Sequence, residues 1–253
     1  MLRTYALLAL FAAQPAWAAG CKAESGARTT ALVELYTSEG CSSCPPADRW
    51  LSGLAGQGFA PNKVVPLALH VDYWDYIGWK DPYAKREFSQ RQRKLTRLQR
   101  QALVYTPQVM LQGKDFRAWG GKAFADEVAR INAQPARARL ALEILSLDKA
   151  GVDVQVRAEV STPAEEPALY VAAYQNRLQS DVTTGENRGR TLPHDYVVLE
   201  WHGPRALETG RPLSERLRLP LVPRATPADS GVAAFVQNRR NGEVLQALMR
   251  PGC

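Results

Sequence analysis

Two of the four cysteines in this chain lie three positions apart, in the segment Cys41-Ser42-Ser43-Cys44, and two prolines follow at once. A pair at this spacing could catalyse thiol–disulfide exchange, supply half of a zinc site, or form an inert structural disulfide. Exchange needs one thiolate that attacks a disulfide and a second thiol that resolves the mixed disulfide. We predict that Cys41 attacks and Cys44 resolves.

The two other interpretations of the pair explain less of the sequence. Zinc takes four ligands, usually thiolates or imidazoles, and only Cys21, Cys253 and three histidines remain, with no second close pair. A disulfide that closes so small a loop constrains the unfolded chain little. We therefore predict a redox-active pair without a metal or cofactor, and a structural disulfide remains the alternative.

The elements on either side of the pair would favour a reactive thiol. The apolar run 31–37 predicts a buried strand, and residues 47–58 predict a short helix that ends in glycines. A cysteine at such a junction meets unpaired backbone N–H groups and the positive end of the helix dipole, which both favour the thiolate. Pro45 and Pro46 suit a first helical turn, where N–H groups are dispensable.

The first half of the chain alternates between strand and helix patterns. Residues 63–71 predict a second strand, although Pro66 within it indicates that this strand is not fully central or begins late. The later patterns are a polar helix over 84–102, a strand pair around a turn at Gly113-Lys114, and a helix over 122–133. The order β-α-β-α-β-β-α belongs to the α/β class.

After Pro135 the pattern changes to strands. Residues 151–160 alternate strictly between apolar and polar side chains, as expected for a half-buried antiparallel strand. Further strand patterns follow, and Asn241-Gly242 predicts a hairpin turn between the last two. Residues 203–230 contain five prolines and are predicted to be a long surface loop. A β-rich, sandwich-like domain over residues 138–253 fits this half best.

The N-terminal residues predict export. Arg3 supplies a positive charge, residues 6–13 form a short apolar core, and Ala16-Trp17-Ala18 fits a small-x-small cleavage site. We therefore predict a signal peptide over residues 1–18 and a periplasmic or secreted protein. No later stretch is apolar enough to span a membrane, so stable membrane insertion is not predicted. The alternative is a lipoprotein acylated at Cys21.

Export also predicts disulfides, because an oxidising compartment preserves them. If Cys41 pairs with Cys44, the remaining pair is Cys21 with Cys253, one near each end of the mature chain. Termini of compact proteins often lie close together, so this bridge is geometrically reasonable. Lipidation of Cys21 would instead leave Cys253 free.

The order of elements resembles the thioredoxin superfamily: a strand, a CxxC that opens a helix, a strand, a helix, then a Thr-Pro that starts another strand. In that family the proline is cis and lies against the CxxC, and the backbone of the preceding residue pairs with bound substrate. Thr106 and Pro107 match these two positions. Members often carry a buried acid before the CxxC, and Glu34 is the nearest match, one residue further away.

Four segments together resemble the bacterial secreted family catalogued as domain of unknown function 1223: "VELYTSEGCSSCPPAD", "ALHVDYWDYIGWKDPY", "YTPQVMLQG" and "TTGENRGRTLPHDYVV". The resemblance covers nearly the whole mature chain. It implies a thioredoxin-like domain over residues 28–135, with a central mixed sheet flanked by helices, and a β-rich C-terminal part. It implies no established reaction.

An aromatic loop over residues 72–83 follows the second predicted strand. Its amphipathic rings could line a groove for an extended substrate beside the CxxC, with Trp74 as the predicted contact. The alternative is a loop that packs its own rings. The net charge of +7 allows attraction to anionic surfaces, but no nucleic-acid recognition motif is present, so nucleic acid is not a predicted partner.

Two functions of different classes follow. The first is an exported thiol–disulfide oxidoreductase that exchanges with protein thiols or disulfides and with an unknown redox partner. The second is a non-enzymatic envelope module that uses the same scaffold for binding or structure. Burial discriminates between them: an exposed Cys41 sulfur beside Pro107 supports the enzyme, and a covered CSSC segment supports the module.

Overall fold

The computed structural model describes residues 21–221 and 226–253. The predicted signal peptide, residues 1–18, lies outside the described residues. The described chain has a mixed α/β architecture in which one eight-stranded sheet and one four-stranded sheet dominate. A two-stranded ribbon accompanies them.

The α-helices and strands begin and end as follows in the described residues: β1 Lys22–Glu24, β2 Ala31–Thr37, α1 Pro45–Ser52, β3 Val64–His70, α2 Arg86–Leu98, β4 Gln108–Leu111, β5 Lys114–Asp115, α3 Lys122–Asn132, β6 Ala138–Asp148, β7 Gly151–Val160, β8 Pro167–Gln175, β9 Leu178–Asp181, β10 Thr191–His194, β11 Val197–Ala206, β12 Leu213–Pro220, β13 Ser230–Asn238 and β14 Val244–Pro251. The aromatic loop contains a 3₁₀ helix over Asp72–Ile77.

The eight-stranded sheet has the order β14-β13-β8-β11-β3-β2-β4-β5. β2 pairs parallel with β3 and antiparallel with β4. β11 joins the sheet by a parallel pairing in which Val197 lies opposite Ala68 of β3. Strands from both sides of the predicted boundary at residues 135–138 therefore share one sheet. The division into a 28–135 and a 138–253 domain stays a prediction.

The position of Pro66 within β3 follows from this pairing. The sequence suggested that β3 is not fully central, but it lies between β2 and β11. The Ala68 N–H donates to the carbonyl of Tyr196 beside β11. The backbone N position of Pro66 points toward the same neighbouring strand as the Ala68 N–H, because the two residues are two positions apart. Since β11 begins only opposite Ala68, the missing N–H of Pro66 costs no ladder hydrogen bond.

Both faces of β2 are buried. Val33 and Leu35 pack on one face in a cluster that includes residues of α1, α3 and the four-stranded sheet. Leu32 and Tyr36 pack on the other face with Phe88 of α2. The four-stranded sheet, with the order β1-β6-β7-β12, covers the first face beside the helices. A sandwich-like half is therefore present, but its larger sheet continues into the first half of the chain.

The prediction of a surface loop over residues 203–230 was wrong in its centre. β12 pairs antiparallel with β7 from Leu213 to Pro220. Its leucines turn inward, whereas Arg218 on the outer side donates to Asp153 at 2.7 Å. Among the described prolines of this region, Pro204 lies at a register shift of β11, and Pro212 and Pro227 lie between strands. Pro220 ends the edge strand, where a missing N–H is tolerated.

The described chain is closed by a disulfide between Cys21 and Cys253, whose Cα atoms are 6.1 Å apart. This is the pairing expected from the sequence. It joins the start of β1, at the edge of the four-stranded sheet, to the end of β14, at the edge of the eight-stranded sheet. In the described residues, no helix is long and apolar enough to cross a membrane.

Candidate functional site

Cys41 and Cys44 form a disulfide at the start of α1, with Cα atoms 5.4 Å apart. Cys44 is the N-cap residue, and Pro45 is the first helical residue. The N–H groups of Ala47 and Asp48 donate to the Cys44 carbonyl, and the Cys44 N–H donates to the Cys41 carbonyl. Because the prolines have no N–H and these three N–H groups are paired, the first turn leaves fewer free donors for a thiolate than the sequence suggested.

Both cysteines are fully buried, with 0% of their surface exposed, although Ser42 and Ser43 between them are exposed. The Ser43 hydroxyl lies 3.4 Å from the Cys41 sulfur. By the burial criterion stated above, a covered pair favours the binding or structural module. Two segments provide the cover: the connection between β9 and β10, and the aromatic loop.

The connection between β9 and β10, residues 182–190, binds the CSSC backbone directly. The Asn187 side-chain amide donates to the carbonyls of Glu39 and Cys41 at 2.8 and 3.0 Å. The Glu186 carboxylate accepts from the Ser42 N–H at 3.0 Å. Arg190 donates to the Asn187 side-chain oxygen at 3.1 Å. The connection therefore fixes the chain on both sides of Cys41.

The aromatic loop packs on the residue before Cys41. A side chain at Gly40 would begin 3.3 Å from the Trp74 Cβ atom, so glycine permits this close approach. Trp79 donates its ring N–H to Glu39 at 2.8 Å. Tyr76 is 84% exposed. Trp74 thus supports the CSSC segment, and its role as a substrate contact stays a prediction.

Five buried titratable side chains lie beside the pair: Glu39, Asp48, His70, Asp81 and His194. His70 Nδ1 is 2.7 Å from Asp81 Oδ2, and the same oxygen accepts from the Glu39 N–H at 2.9 Å. His194 Nε2 is 3.0 Å from Glu39 Oε1. Buried groups of this kind concentrate at functional sites, although structural ion pairs produce them as well.

The electrostatics of this cluster keep His70 and Asp81 in their charged forms. Burial alone would lower the pKa of His70, but Asp81 beside it raises that pKa to about 9. Burial would raise the pKa of Asp81, and His70 lowers it below its usual range. His70 and Asp81 therefore form a buried ion pair at neutral pH.

Asp48 is a buried acid in the first turn of α1, the helix that begins directly after Cys44. It lies one helical turn after Cys44, on the same face of α1, and accepts from the Thr37 hydroxyl at 3.2 Å. Burial raises its pKa, while His194 and His70 oppose the shift. Its spacing of four residues from Cys44 is visible in the sequence, whereas the family resemblance points only to an acid before the pair.

Glu34, the acid matched from the family resemblance, lies elsewhere. It shares the face of β2 that packs on α2, opposite to the face that packs on α1. There it accepts two hydrogen bonds from Arg91, at 2.5 and 3.0 Å. The Arg91 guanidinium also lies 5.0 Å from the ring centres of Tyr170 and Trp201. Glu34 therefore serves the packing of α2.

A pocket of about 310 Å³ opens between α1 and β10. Asp48 and Arg49 of α1 line it, and so do His194 of β10 and Arg190 just before that strand. His194 Nδ1 is buried and has no hydrogen-bond partner among the described residues. The pocket is the opening that adjoins the helix carrying Cys44.

Thr106 and Pro107 lie at the start of β4 and are joined by a cis peptide bond, as expected from the sequence. Gln108 pairs with Tyr36 of β2, so the dipeptide lies at the end of β2 from which the CSSC segment departs. Gln92 of α2 donates to the Tyr105 carbonyl at 2.8 Å and fixes this entry. The binding of substrate by Thr106 and Pro107 stays a prediction.

The solved structures that resemble this chain include two that cover most of it. A protein from Agrobacterium tumefaciens, solved by X-ray crystallography, is 26% identical with a TM-score of 0.64, over 90% of this chain and 97% of that one. HBP35 of Porphyromonas gingivalis is 14% identical with a TM-score of 0.68, over 90% of this chain and 76% of that one, and shows similarity of fold alone. No curated protein matches the chain. The family model described as "Protein of unknown function (DUF1223)" matches residues 32–237, and the chain belongs to this family.

Proposed function

We propose that this protein is an exported thiol–disulfide oxidoreductase that acts through Cys41 and Cys44. The observation that carries the proposal is a CSSC disulfide at the start of α1, with the buried Asp48 one turn further on and a pocket beside it. A structural disulfide across two residues has little need of a buried acid with a raised pKa.

The arrangement of elements supports a thioredoxin-like scaffold for this chemistry. β2, α1 and β3 form a parallel β-α-β unit, and β4 returns antiparallel along the other edge of β2. The CSSC pair leaves the end of β2, and the Thr106-Pro107 dipeptide leads into β4 at the same end. This is the order that the family resemblance implied.

Exchange by the oxidised pair involves two substitutions at sulfur. A substrate thiolate attacks Cys41 Sγ, the Cys41–Cys44 bond breaks, and Cys44 leaves as a thiolate that takes a proton. A second substrate thiolate then attacks the substrate sulfur of the mixed disulfide, and Cys41 leaves and takes a proton. Two electrons pass from the substrate dithiol to the pair. A partner disulfide must accept these electrons before the next cycle, and the reverse direction reduces a substrate disulfide.

In this proposal Asp48 donates a proton to Cys44 and accepts it back. Because burial raises its pKa, it retains a proton at a pH where an exposed carboxyl group has lost one. It can give this proton to the leaving Cys44 thiolate and accept it again in the reverse direction. The pocket at Asp48 connects this carboxyl group to the surface.

The buried sulfurs require a movement before exchange. A substrate reaches Cys41 only when residues 182–190 separate from the CSSC backbone. The same burial favours the second candidate, an envelope module in which the covered disulfide is structural. Reactivity of the pair toward a protein substrate distinguishes the two functions.

The compartment and partners belong to the same proposal. A protein with a signal peptide over residues 1–18 would meet protein thiols and disulfides in the periplasm or outside the cell. Persistence of the Cys21–Cys253 bridge is consistent with an oxidising compartment.

Three variants of the purified protein test the function in an assay that follows oxidation of a dithiol peptide. Cys41→Ser should abolish exchange. Cys44→Ser, incubated with the oxidised disulfide form of the peptide, should accumulate a mixed disulfide, because the Cys41 thiolate attacks the peptide disulfide, one peptide thiol leaves, and no Cys44 thiol is present to resolve the product; mass spectrometry detects this adduct. The control variant Cys21→Ser/Cys253→Ser removes the other bridge and should retain exchange. If the Cys41 and Cys44 variants both exchange as fast as the parent protein, the module is the better description.

A further inference from the structure

The connection between β9 and β10 does more than cover the disulfide. It contains "TTGENRGR", part of one of the four segments that resemble the DUF1223 family, and the proposed reaction gives this segment no role beyond cover. Its side chains reach the CSSC segment from a position more than 140 residues later in the chain, since Asn187 and Cys41 are separated by 146 residues.

The backbone donors around Cys41 are scarce. Pro45 and Pro46 have none, and the Cys44 N–H is bonded to the Cys41 carbonyl. The Ser42 N–H, the donor directly after Cys41, is taken by the Glu186 carboxylate at 3.0 Å. A thiolate at Cys41 would therefore compete with a carboxylate for the nearest donor and would lie close to a negative charge.

The Glu186 carboxylate is the charged form at neutral pH. Its hydrogen bonds to the side chain and backbone of Ser42 hold its pKa below the usual range. Glu186 itself is exposed to solvent, so water weakens its field, and the expected influence on a neighbouring thiolate is modest.

Asn187 has a different role because it is fully buried. Its side-chain N–H groups donate to the carbonyl of Glu39, two residues before the pair, and to the carbonyl of Cys41 itself. Removal of this amide would take one hydrogen bond from each carbonyl, of which that of Cys41 keeps the Cys44 N–H, and would open the cover over Cys41.

We propose that residues 182–190 set the reactivity of the CSSC pair through two separable contacts: the Glu186 carboxylate suppresses the thiolate form of Cys41, and Asn187 restricts access to its sulfur. This proposal rests on the proposed function, since it assigns positioning residues to that reaction. Neither residue touches the reacting atoms, and both act through the CSSC backbone.

Other charged groups also lie around the pair, and they stay constant in a comparison of Glu186 variants. Glu39 precedes the pair in the chain, Asp48 lies on α1, and His194 lies on β10. The His70–Asp81 ion pair lies between β3 and the aromatic loop, and Arg190 lies in the connection itself. A change at Glu186 with these groups unaltered therefore isolates one charge.

The test measures alkylation of reduced Cys41 by iodoacetamide as a function of pH. Glu186→Gln, Asn187→Ala and the control Glu165→Gln are made in the Cys21→Ser/Cys253→Ser background, where only the CSSC thiols react, and mass mapping identifies the modified cysteine. Glu165 is 73% exposed on the connection between β7 and β8 and has no contact with the pair, so its substitution controls for the loss of one surface charge.

Glu186→Gln should lower the apparent pKa of Cys41 and raise the rate at pH 7 about threefold, which is a shift of about half a pKa unit. Asn187→Ala should raise the plateau rate at high pH several-fold, with a smaller change in the apparent pKa. These two signatures separate charge from access.

An apparent pKa in Glu186→Gln equal to that in Glu165→Gln overturns the role of the carboxylate. A plateau rate in folded Asn187→Ala equal to that of the background overturns the role of the amide. If Asn187→Ala does not fold, Asn187→Ser provides the same measurement with a smaller loss of volume. Because alkylation needs no protein substrate, these outcomes are independent of a failure of the exchange assay.

Discussion

Removal of the Cys21–Cys253 bridge should lower the free energy of unfolding more than removal of the Cys41–Cys44 disulfide. The bridge closes a loop with a sequence separation of 232 residues. In the chain-entropy model, a loop of this length stabilises the fold by about 5.5 kcal/mol at 25 °C. The Cys41–Cys44 disulfide, with a separation of three residues, contributes only about 1.6 kcal/mol in the same model.

The native contacts near the bridge should survive its removal. β1 remains paired with β6 over three residues, and the Gly252 N–H remains bonded to the Ser230 carbonyl at 2.7 Å. The loss therefore falls mainly on the unfolded chain, which gains freedom. For a protein of this size, about 5.5 kcal/mol corresponds to a fall in Tm of about 10–20 °C.

Urea unfolding of the parent protein and of Cys21→Ser/Cys253→Ser measures the effect. The variant should unfold at lower urea and with a larger m-value, because its unfolded chain is less compact and exposes more surface. Cys41→Ser/Cys44→Ser is the matched control, with the same number of cysteines removed. A loss below about 1 kcal/mol in the first variant, or an equal loss in both, would refute the entropic reasoning.

Three further predictions concern buried charges. The stability that comes from the raised pKa of His70 should be full below about pH 6.5 and should be lost as the pH rises through about 9; urea unfolding of His70→Gln should show a flatter profile between these pH values. Asp48→Asn should stabilise the protein at pH 7, since the raised pKa of Asp48 makes its charged form unfavourable, and this gain should vanish below about pH 4. Arg91→Ala should cost about 3–5 kcal/mol because it leaves Glu34 buried without its partner, whereas Arg91→Met combined with Glu34→Leu should recover most of that loss. A steeper profile in His70→Gln, an unchanged Asp48→Asn, or a double variant at Arg91 and Glu34 no better than the single one would contradict the respective argument.

The elements predicted best were those whose pattern is local. The run 31–37 is a strand buried on both faces, and α3 buries Phe124, Val128 and Ile131, as its helical spacing predicted. β12 was missed because the prolines of residues 203–230 outweighed the alternation of leucines within it. Local patterns also place the CSSC pair at the start of a helix, where the structure has it.

The features that could not be predicted depend on distant residues. The single sheet arises from one parallel pairing, Val197 opposite Ala68, which no local pattern encodes. The cover over Cys41 is equally non-local, since Glu186 follows Ser42 by 144 residues. The sequence left the exposure of the pair open for this reason, because exposure depends on which other segments lie over a residue.

The Cys21–Cys253 bridge also makes residues 21–253 a covalent ring. A protease that cuts this ring once, in any exposed connection, leaves a single molecule whose mass rises only by that of one water, and the fragments separate only after reduction. A pulling force applied to the two ends passes through the bridge and does not load the strands. Because the ends are 6.1 Å apart at their Cα atoms, the chain can also be reopened at another connection and closed by a short peptide linker, so that a circularly permuted protein would retain both sheets.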